Sequence, residues 1–593
     1  MRPPHIIRHN AASERPAHVI IVDTETLVDG EGIPRLRLGV ASYIHRGRKG
    51  RWSAGTQLRF RYADTFWDWV QEHSKAKRKL YVLAHNTGFD MPVLGMFPQL
   101  EGRGYTLTKA ILADPPTYLS WSGASGGTIA ILDSTNYYRQ ALSTLDGIAG
   151  LPKLTMPDVT DSDDVWYTYC ARDVAVLQAA MLAWWGFVAD ADLGNAAISA
   201  AGQAFAAYRH RFMSHPIHIH SIEPILDLER ASYYGGRTEA LRLGRIAGAI
   251  HVLDVNSLYP AVMADGVYPT HYLRAYTACS PARLAALVAA NWCVADVDID
   301  TPEPAYPVRY GGRLMFPVGA YRTSLCGAEL IHALAHGRIT SVHHVAVYDS
   351  HQIFAAYVAD MYQRRLDYRA AGNQPYEHLS KLLLNSLYGK FGQRGYYWRE
   401  VSADDVPEDI WVDATYAADG TEVQYRMVGQ LVQRLDREGE SADSFPAIAA
   451  GVAAAARMRL WELMQMVPAG HLYYVDTDSL WVSDVGRAAL ESQVDSQRLG
   501  SLKVEATHDW MHIRGLKDYE TPAGVKVKGI RKSATELEAG LYQQEQWRGW
   551  AGMIRDRDTE RVLITPIVKR LGRNYTKGNV SPSGVVTPYG LSL

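Results

Sequence analysis

Two aspartates in the C-terminal part of the chain stand two residues apart in an apolar, aromatic run, YYVDTDSLWV at 473–482. Residues i and i+2 of a β-strand share one face, so Asp476 and Asp478 would project together if the strand persists. Two ionised carboxylates this close repel each other unless a cation bridges them or one takes a proton. Hard divalent cations such as Mg²⁺ prefer oxygen ligands. The pair therefore predicts a metal site; the alternative is a solvated hairpin tip, where aspartate is also favoured.

A third acid, Asp254, ends a separate apolar run, IHVLDV, and Pro260 follows closely and would stop a strand. One acid at a strand end and an acid pair on another strand form the smallest set for two-metal phosphoryl transfer. Such a site needs a strand pair that brings both segments to one edge of a sheet.

A helical pattern between these two runs offers a cationic group and uncharged polar groups instead of acids. In KLLLNSLYGK (381–390), Lys381, Asn385 and Tyr388 fall on one face and leucines fall on the other. An ammonium group suits a triphosphate, and a tyrosine ring can support a base pair by stacking. The alternative is an ordinary amphipathic helix with one solvated face.

Taken in order, DVNSLYP (254–260), KLLLNSLYGK (381–390) and YVDTDS (474–479) resemble motifs A, B and C of family B DNA polymerases. The resemblance implies Asp254, Val255 and Asp478 as metal ligands, and Asp476 as a further ligand or supporting carboxylate. It also implies a set of nucleotide-binding residues, with the tyrosine of motif A as a gate against a ribose 2′-OH: Tyr259, Lys381, Asn385, Tyr388 and, on the preceding helix, Arg369.

The first 190 residues carry further acids in three separate segments, VDTET, HNTGFD and YCARD. In this order they resemble the Exo I, II and III motifs of DnaQ-like 3′–5′ exonucleases. That resemblance implies two-metal hydrolysis, a tyrosine that orients the attacking water, residues that hold the frayed primer end, and an ancillary lysine. The residues are the acids Asp23, Glu25, Asp90 and Asp173, then Tyr169, then Asn86 and Phe89, and Lys153 in LPKLTM.

Three further stretches indicate DNA contacts. YYGGR resembles the element that links the exonuclease and polymerase domains, whose glycines let the backbone pass close to DNA. LKDY resembles the KxY motif that contacts the primer, and VKVKGIRK (525–532) adds a basic strand, with a solvated edge strand as the alternative. The implied DNA-binding residues are Tyr233, Gly235, Gly236, Lys517, Tyr519 and Lys528.

The pattern of strands and helices predicts a multidomain α/β and α+β fold. The resemblance implies an RNase H-like exonuclease domain followed by a right-hand polymerase with two insertions. We expect short strands at best in 262–345, and an acidic, turn-rich segment in 397–444. The implied order is exonuclease (1–190), first palm part (191–261), insertion 1, like terminal-protein region 1 (262–352), fingers (353–396), insertion 2, like terminal-protein region 2 (397–444), second palm part (445–532) and thumb (533–593).

The short chain and its two insertions resemble the protein-primed polymerases of phages and linear elements. Implied partners are template-primer DNA, dNTPs and a terminal protein as primer, with two Mg²⁺ per site, replaceable by Mn²⁺. Synthesis from a conventional primer, or from none, is the main alternative. A non-catalytic DNA-binding scaffold and an exonuclease with a vestigial polymerase are disfavoured, because all seven candidate acids are present.

The composition is that of a globular protein of several domains. The 593 residues are 47% hydrophobic and 21% charged, with a net charge of −2, so any basic surface must be local. The four cysteines form no CxxC pair and indicate reduced thiols. The N-terminus lacks an apolar signal segment, and the longest apolar stretch, 447–456, is too short for a bilayer. We expect a cytoplasmic monomer, in the host cytoplasm if viral, without a membrane segment.

Overall fold

The computed structural model describes residues 2–30, 32–113, 115–402, 404, 406, 415–418, 421–555 and 558–593. Within these residues the chain forms three seven-stranded sheets, one four-stranded sheet, one three-stranded sheet and two two-stranded hairpins. The observed fold is therefore mixed α/β and multidomain.

Sheet I belongs to the N-terminal part, where β-branched runs such as HVIIV form its buried centre. Two parallel pairs at its centre are flanked by antiparallel strands. In spatial order, its strands are Thr56–Phe60, Pro34–His45, His18–Val28, Lys79–Ala84, Thr128–Asp133, Thr117–Gly123 and Tyr105–Leu112.

Sheet II is antiparallel throughout and contains the three aspartates of the C-terminal pattern. It joins two distant stretches of chain, because strands before residue 256 pair with strands after residue 471. In spatial order, its strands are Thr238–Ala240, Leu472–Asp476, Ser479–Val482, Gly244–Val255, Leu502–Gly515, Asp518–Thr521 and Gly524–Val527.

Sheet III corrects the expectation of short strands at best in 262–345. Four of its strands have 9 to 13 residues. Glycines in the connections, such as Gly311, Gly312 and Gly337, and a bulge after Pro269 interrupt the alternation and concealed these strands. In spatial order, the strands are His5–Ile7, Ile217–Ile219, Tyr268–Cys279, Ile339–His351, Trp292–Thr301, Val318–Cys326 and Gly590–Leu591.

The acidic stretch 397–444 contains strands of a four-stranded antiparallel sheet, so the expectation of a mainly turn-rich segment is wrong for its described residues. Tyr, Val and Arg alternate with the acids there and supply strand-forming side chains. This sheet IV contains Arg394–Glu400, Leu431–Glu440, Thr421–Val428 and Thr415–Ala418. The smaller sheets contain Thr535–Glu538, Leu541–Trp547 and Ile564–Arg570, then Val308–Tyr310 with Arg313–Met315, and Asn579–Val580 with Val586–Thr587.

The helices pack on and between these sheets, and the predicted long helical patterns are all present. The longest, Asp163–Asp190 and Pro446–Met466, are buried along most of their length, and in the described residues none of the helices is both long and apolar enough to cross a membrane. The α-helices are Ala63–His73, Thr87–Val93, Met96–Gly102, Asp146–Ala149, Asp163–Asp190, Ala200–Ala207, Glu223–Ser232, Leu258–Asp265, Pro281–Ala290, Gly327–Ala335, Ala355–Ala370, Gln374–Phe391, Pro446–Met466, Asp484–Ala489 and Trp550–Arg555.

Candidate active sites

The C-terminal acid pair lies at the tip of a β-hairpin in sheet II. The first strand ends at Asp476, the chain turns through Thr477 and Asp478, and the second strand begins at Ser479. The strand therefore does not persist through both acids, and they lie at a hairpin tip, the position that the alternative interpretation gave them. Thr477 adopts a left-handed φ of 64°, and its N–H donates to the carbonyl of Arg237 over 2.7 Å. The turn, rather than strand alternation, sets the direction of the two carboxylates.

Asp254 joins this tip through the pairing of its strand with the hairpin. It lies opposite Ser479, and the N–H of Val255 donates to the carbonyl of Asp478 over 2.7 Å. The Val255 side chain is fully buried, so only its backbone carbonyl could serve as a metal ligand. The structure thus brings the three aspartates to one cleft of about 410 Å³.

Electrostatic repulsion within the cleft favours binding of a cation. Burial, with the nearby Asp478 and Glu505, raises the pKa of Asp254 to about 6. Burial likewise raises the pKa of Asp478. Lys503 lies 3.5 Å from Asp254 and 2.7 Å from Glu505 and offsets part of the negative charge. Clustered, half-buried carboxylate oxygens of this kind suit a hard divalent cation.

Asp476 has other partners than Asp254, which lies beside Lys503. The Asp476 carboxylate accepts from the Thr238 hydroxyl over 3.0 Å and lies 3.1 Å from the Lys517 ammonium. Lys517 was predicted to contact primer phosphate; here it neutralises an acid at the cleft. The ring of Tyr519 packs 4.7 Å from the ring of Trp481 and also lines the cleft.

The predicted basic strand is shorter than expected. It ends at Val527, and the backbone N–H of Lys528 then donates to the carbonyl of Lys517 over 2.9 Å. Lys528 does not line the cleft of the three aspartates. It lines a neighbouring cavity of about 430 Å³ that also contains Arg514 and Arg573.

The helix Gln374–Phe391 has the two faces that its periodicity predicts. Its leucine face is buried, whereas Lys381 and Asn385 are exposed. The Asn385 amide donates to the carbonyl of Lys381 over 2.9 Å, and desolvation, with nearby cations including Lys503, lowers the pKa of Lys381. The ring of Tyr388 stacks on that of Tyr259, with centroids 4.7 Å apart and planes 5° from parallel. This stacked pair connects the helix to the segment after Asp254.

A different arginine from the predicted one lies next to this segment. Arg369 pairs with Glu377 of the following helix, 2.6 Å away, and is partly exposed. Arg365, one turn earlier, is buried and lies 3.4 Å from the side chains of both Asn256 and Ser257. The signal was available, since Arg365 lies at i−4 from Arg369 and so on the same helix face.

The two glycines of YYGGR have different surroundings. A Cβ atom at Gly236 would lie 2.8 Å from Thr477 Cγ2 and 3.1 Å from the hydroxyl of Tyr259, whereas one at Gly235 would meet nothing within 4 Å. Gly236 is thus required by the close approach of the chain's own acidic hairpin. Tyr233 packs against Gly392, next to the end of helix Gln374–Phe391.

A buried ion pair holds this glycine segment in place. Arg457 of helix Pro446–Met466 pairs with Glu329 at 2.7 Å, and both side chains are almost fully buried. The same guanidinium donates to the carbonyls of Tyr234 and Gly235 over 2.8 and 2.9 Å. The interaction network therefore extends from the helices beside sheet III to the segment that packs on Thr477.

A second acidic cluster lies in the N-terminal part, at one end of sheet I. Ligand atoms of Asp23, Glu25 and Cys170 lie within 4.8 Å of one another. Burial, with repulsion from Asp23 and Asp173, raises the pKa of Glu25 to about 8, and desolvation raises that of Asp23. The predicted acids of this part of the chain thus converge, although they come from separate segments.

The other two acids complete the cluster from different elements. Asp90, whose pKa burial raises to about 7, accepts from the N–H and hydroxyl of Thr24 over 3.1 and 2.7 Å. Asp173 is 2% exposed, and its Oδ1 atom has no hydrogen-bond partner among the described residues. An unpartnered buried carboxylate oxygen beside other acids fits a divalent cation.

Lys153 and Tyr169 lie beside Asp173, as the spacing of YCARD predicts for the tyrosine. The Lys153 ammonium bonds to Asp173 and lies 4.7 Å from the centre of the Tyr169 ring. Asn86 is exposed at the start of helix Thr87–Val93, with a left-handed φ of 69°. The ring of Phe89 packs 5.3 Å from that of Trp547.

Comparison with known proteins agrees with these motifs. The family described as DNA polymerase type B, organellar and viral, matches residues 155–404. The chain is 29% identical over 315 residues to the DNA-directed DNA polymerase of Enterobacteria phage PRD1, covering 52% of each chain. It is 24% identical over 339 residues to a probable DNA polymerase of Neurospora intermedia, covering 53% of this chain and 33% of that one. The resemblance to type B DNA polymerases is confirmed.

The chain spans between about a third and a half of the length of these two curated type B relatives. Solved structures of phi29 DNA polymerase show the same fold at 15% identity. The complex with primer-template DNA and incoming nucleotides has a TM-score of 0.67, and the complex with single-stranded DNA 0.66. Each comparison covers 94% of this chain and 100% of the phi29 chain.

The motif resemblance did not identify several residues that lie at the two acidic clusters. Lys503 and Glu505 lie on the strand beside Asp254, and the alternating pattern LKVEA could have identified them. Asp133 accepts from the N–H groups of Asn86 and Thr87 and so shapes the HNTGFD turn. Cys170 lies inside a motif, but only the tertiary structure brings its thiol to 3.4 Å from the Asp23 carboxylate.

Proposed function

We propose that this chain is a DNA-directed DNA polymerase with a separate 3′–5′ exonuclease site. The observation that carries the proposal is the convergence of Asp254, Asp476 and Asp478 in one cleft, with Lys381 nearby, in a chain with type B motifs. The N-terminal cluster around Asp23 supports the second activity.

In the proposed polymerase site, Asp254, Asp478 and the backbone carbonyl of Val255 would hold Mg²⁺, which Mn²⁺ could replace. When bound, such ions favour ionisation of the primer 3′-hydroxyl and neutralise the leaving pyrophosphate. Asp476, held by Thr238 and Lys517, keeps the hairpin tip in position.

The proposed nucleotide-binding residues lie beside the acidic cleft, on the two long helices and in the segment after Asp254. Lys381 supplies positive charge for the triphosphate, and Asn385 lies one turn further along the same face. Tyr259 and Tyr388 act as a stacked pair: Tyr388 supports the base pair, and Tyr259 excludes a 2′-hydroxyl. Arg369 was the sequence-based candidate for phosphate binding, and Arg365 now joins it because of its contacts with Asn256 and Ser257.

In the proposed exonuclease site, Asp23, Glu25, Asp90 and Asp173 supply the carboxylates for divalent cations. Lys153 neutralises part of their charge and fixes Asp173. The catalytic role of Tyr169 is to orient the water that attacks the phosphodiester.

The proposed domain assignment agrees with the sheets. The exonuclease domain (1–190) contains sheet I, and the two palm segments (191–261 and 445–532) share sheet II. The fingers (353–396) contain the two consecutive long helices, and the thumb (533–593) contains the three-stranded sheet.

Four of the seven strands of sheet III lie in insertion 262–352, and the other three come from residues 5–7, 217–219 and 590–591; most of sheet IV lies in insertion 397–444. This layout supports a third proposal, that a hydroxyl group of a partner terminal protein primes synthesis. We propose that Tyr233, Gly235 and Gly236 lie along the duplex, and that Lys517 and Tyr519 contact the primer. Asn86 and Phe89 are proposed to hold the frayed primer end at the exonuclease site, and Lys528 is proposed to contact DNA near Lys517 and Tyr519.

The two activities are tested by primer extension and primer degradation on a long single-stranded circle with Mg²⁺ and dNTPs. Asp254→Ala is expected to abolish synthesis and spare degradation, whereas Asp23→Ala is expected to do the reverse. Loss of both activities from either substitution would refute two separate sites. Efficient copying of a bare template, without primer or partner, would refute protein priming.

A further inference from the structure

A cavity of about 290 Å³ lies behind the acidic hairpin, outside the cleft described above. Its walls come from helix Pro446–Met466, from the strands Thr238–Ala240 and Leu472–Asp476, and from the C-terminal stretch 575–588. The wall is mostly apolar and includes Trp461, Met464, Leu472 and Pro588. This volume is close to the lower end of the range for small-molecule sites and suits one bicyclic ring system.

The polar group of the cavity is the guanidinium of Arg237. This side chain is 2% exposed and lies between the rings of Phe316 and Trp461, 4.2 and 5.1 Å from their centres. Its Nε and Nη2 atoms both bond to one carboxylate oxygen of Glu239 at 2.6 Å. Its Nη1 atom is buried and has no hydrogen-bond partner among the described residues. A buried donor without a partner is costly and favours an acceptor from a ligand.

The charges that line the cavity favour an anion. Glu239 balances Arg237, and Lys577, from the C-terminal stretch, adds a second cation to the lining. The Lys577 ammonium donates to the carbonyl of Thr238 over 3.1 Å, and burial lowers its pKa. One unpaired N–H of Arg237, one extra positive charge and an apolar wall match a carboxylate attached to an aromatic or aliphatic body.

The same residues connect the cavity to the acidic hairpin by backbone contacts. The carbonyl of Arg237 accepts the N–H of Thr477, and Thr238 pairs with Asp476 in the sheet. A ligand on the Arg237 guanidinium would therefore act one peptide unit away from the turn that aims Asp476 and Asp478.

We propose that this cavity is a binding site for small apolar carboxylates and that its occupancy changes the position of the acidic turn. The binding half of the proposal is independent of any activity. The coupling half rests on the proposed polymerase function.

Binding is tested by isothermal titration of the full chain, in buffer with chelator, with 1-naphthoate and its neutral analogue 1-naphthalenemethanol. Because a charge-assisted bond at a buried site is stronger than a neutral one, we expect naphthoate to bind at least about tenfold more tightly. Equal affinities, or no binding at millimolar concentration, would overturn the proposal.

Four variants separate this cavity from other surfaces. Met464→Trp fills the cavity and should abolish binding of both probes, whereas Ile331→Trp, at an exposed residue of a different groove, should leave both affinities unchanged. The double substitution Arg237→Gln with Glu239→Gln removes the pair together and should eliminate the preference for the acid. Lys577→Gln, a milder change, should reduce that preference. If the folded double variant or the folded Lys577→Gln variant still binds naphthoate as much more tightly than the neutral analogue as the wild type does, the assigned charges are wrong.

Coupling is tested by single-nucleotide incorporation at saturating naphthoate. Incorporation should fall in the wild type and in Ile331→Trp, stay unchanged in Met464→Trp, and leave primer degradation unaffected. Binding without any effect on incorporation would overturn the coupling. A chain that binds naphthoate but never incorporates nucleotides would instead contradict the proposed polymerase function.

Discussion

A single methyl group at Gly236 should disrupt the acidic hairpin, while the same group at Gly235 should not. In Gly236→Ala, the new Cβ atom would lie 2.8 Å from Thr477 Cγ2, against the 3.5–4.0 Å of an ordinary carbon contact. The third close neighbour is the hydroxyl of Tyr259 at 3.1 Å. Because Thr477 stands between Asp476 and Asp478, relief of this clash must move the turn or the tyrosine.

The expected cost follows from the size of the overlap. Overpacking of a well-packed site costs about 1–3 kcal/mol. If that cost falls on the productive geometry, it corresponds to a decrease of about 5- to 150-fold in kcat/KM for nucleotide incorporation. Displacement of Tyr259 should also change the ratio of dNTP to rNTP incorporation.

The assay is single-nucleotide incorporation on a primed template, with degradation of a single-stranded oligonucleotide as an internal reference. Gly235→Ala is the matched control, because its Cβ would meet nothing within 4 Å. It should keep the wild-type KM for dNTP and the wild-type sugar discrimination, and any loss should be confined to affinity for DNA. Wild-type incorporation by Gly236→Ala, or identical losses in both variants, would refute the packing argument.

Three further predictions concern buried charges. Asp254→Asn should abolish incorporation yet raise the free energy of unfolding at pH 8 without metal by about 1–2 kcal/mol, allowing for screening. The reason is that a pKa of about 6 in the folded chain makes ionisation of Asp254 oppose folding at pH 8. Near pH 4, where the folded carboxyl is protonated, urea unfolding should show no gain in stability for the variant. Lys153→Met should slow primer degradation about 10- to 100-fold and leave incorporation intact, because Asp173 loses its partner; equal effects on both would contradict this role. Arg457→Met should lower the free energy of unfolding by about 3–5 kcal/mol by isolating buried Glu329, and adding Glu329→Gln should restore part of it, as denaturant titration would show.

The two long helices before residue 392 show what local pattern can predict. Each has a repeating apolar face over at least four turns, and their observed bounds, Ala355–Ala370 and Gln374–Phe391, lie within a few residues of the helical patterns that the sequence predicts at 353–372 and 376–392. The strands of sheet III were missed for the opposite reason. Their pairing partners lie far apart in sequence, and proline and glycine weaken the alternation on which a strand prediction depends.

The sequence by itself determined which residues are candidates for the chemistry, because three ordered motifs and the spacing of their acids are local properties of the chain. It also determined the buried and exposed faces of helix Gln374–Phe391, since a helix repeats every 3.6 residues. Only the tertiary structure decided how the acids meet. Asp476 and Asp478 are directed by a hairpin turn whose φ is held by Arg237, and Gly236 is needed because that turn passes against it. Those contacts join residues more than 200 positions apart, and a local sequence pattern does not specify contacts between residues so distant in sequence.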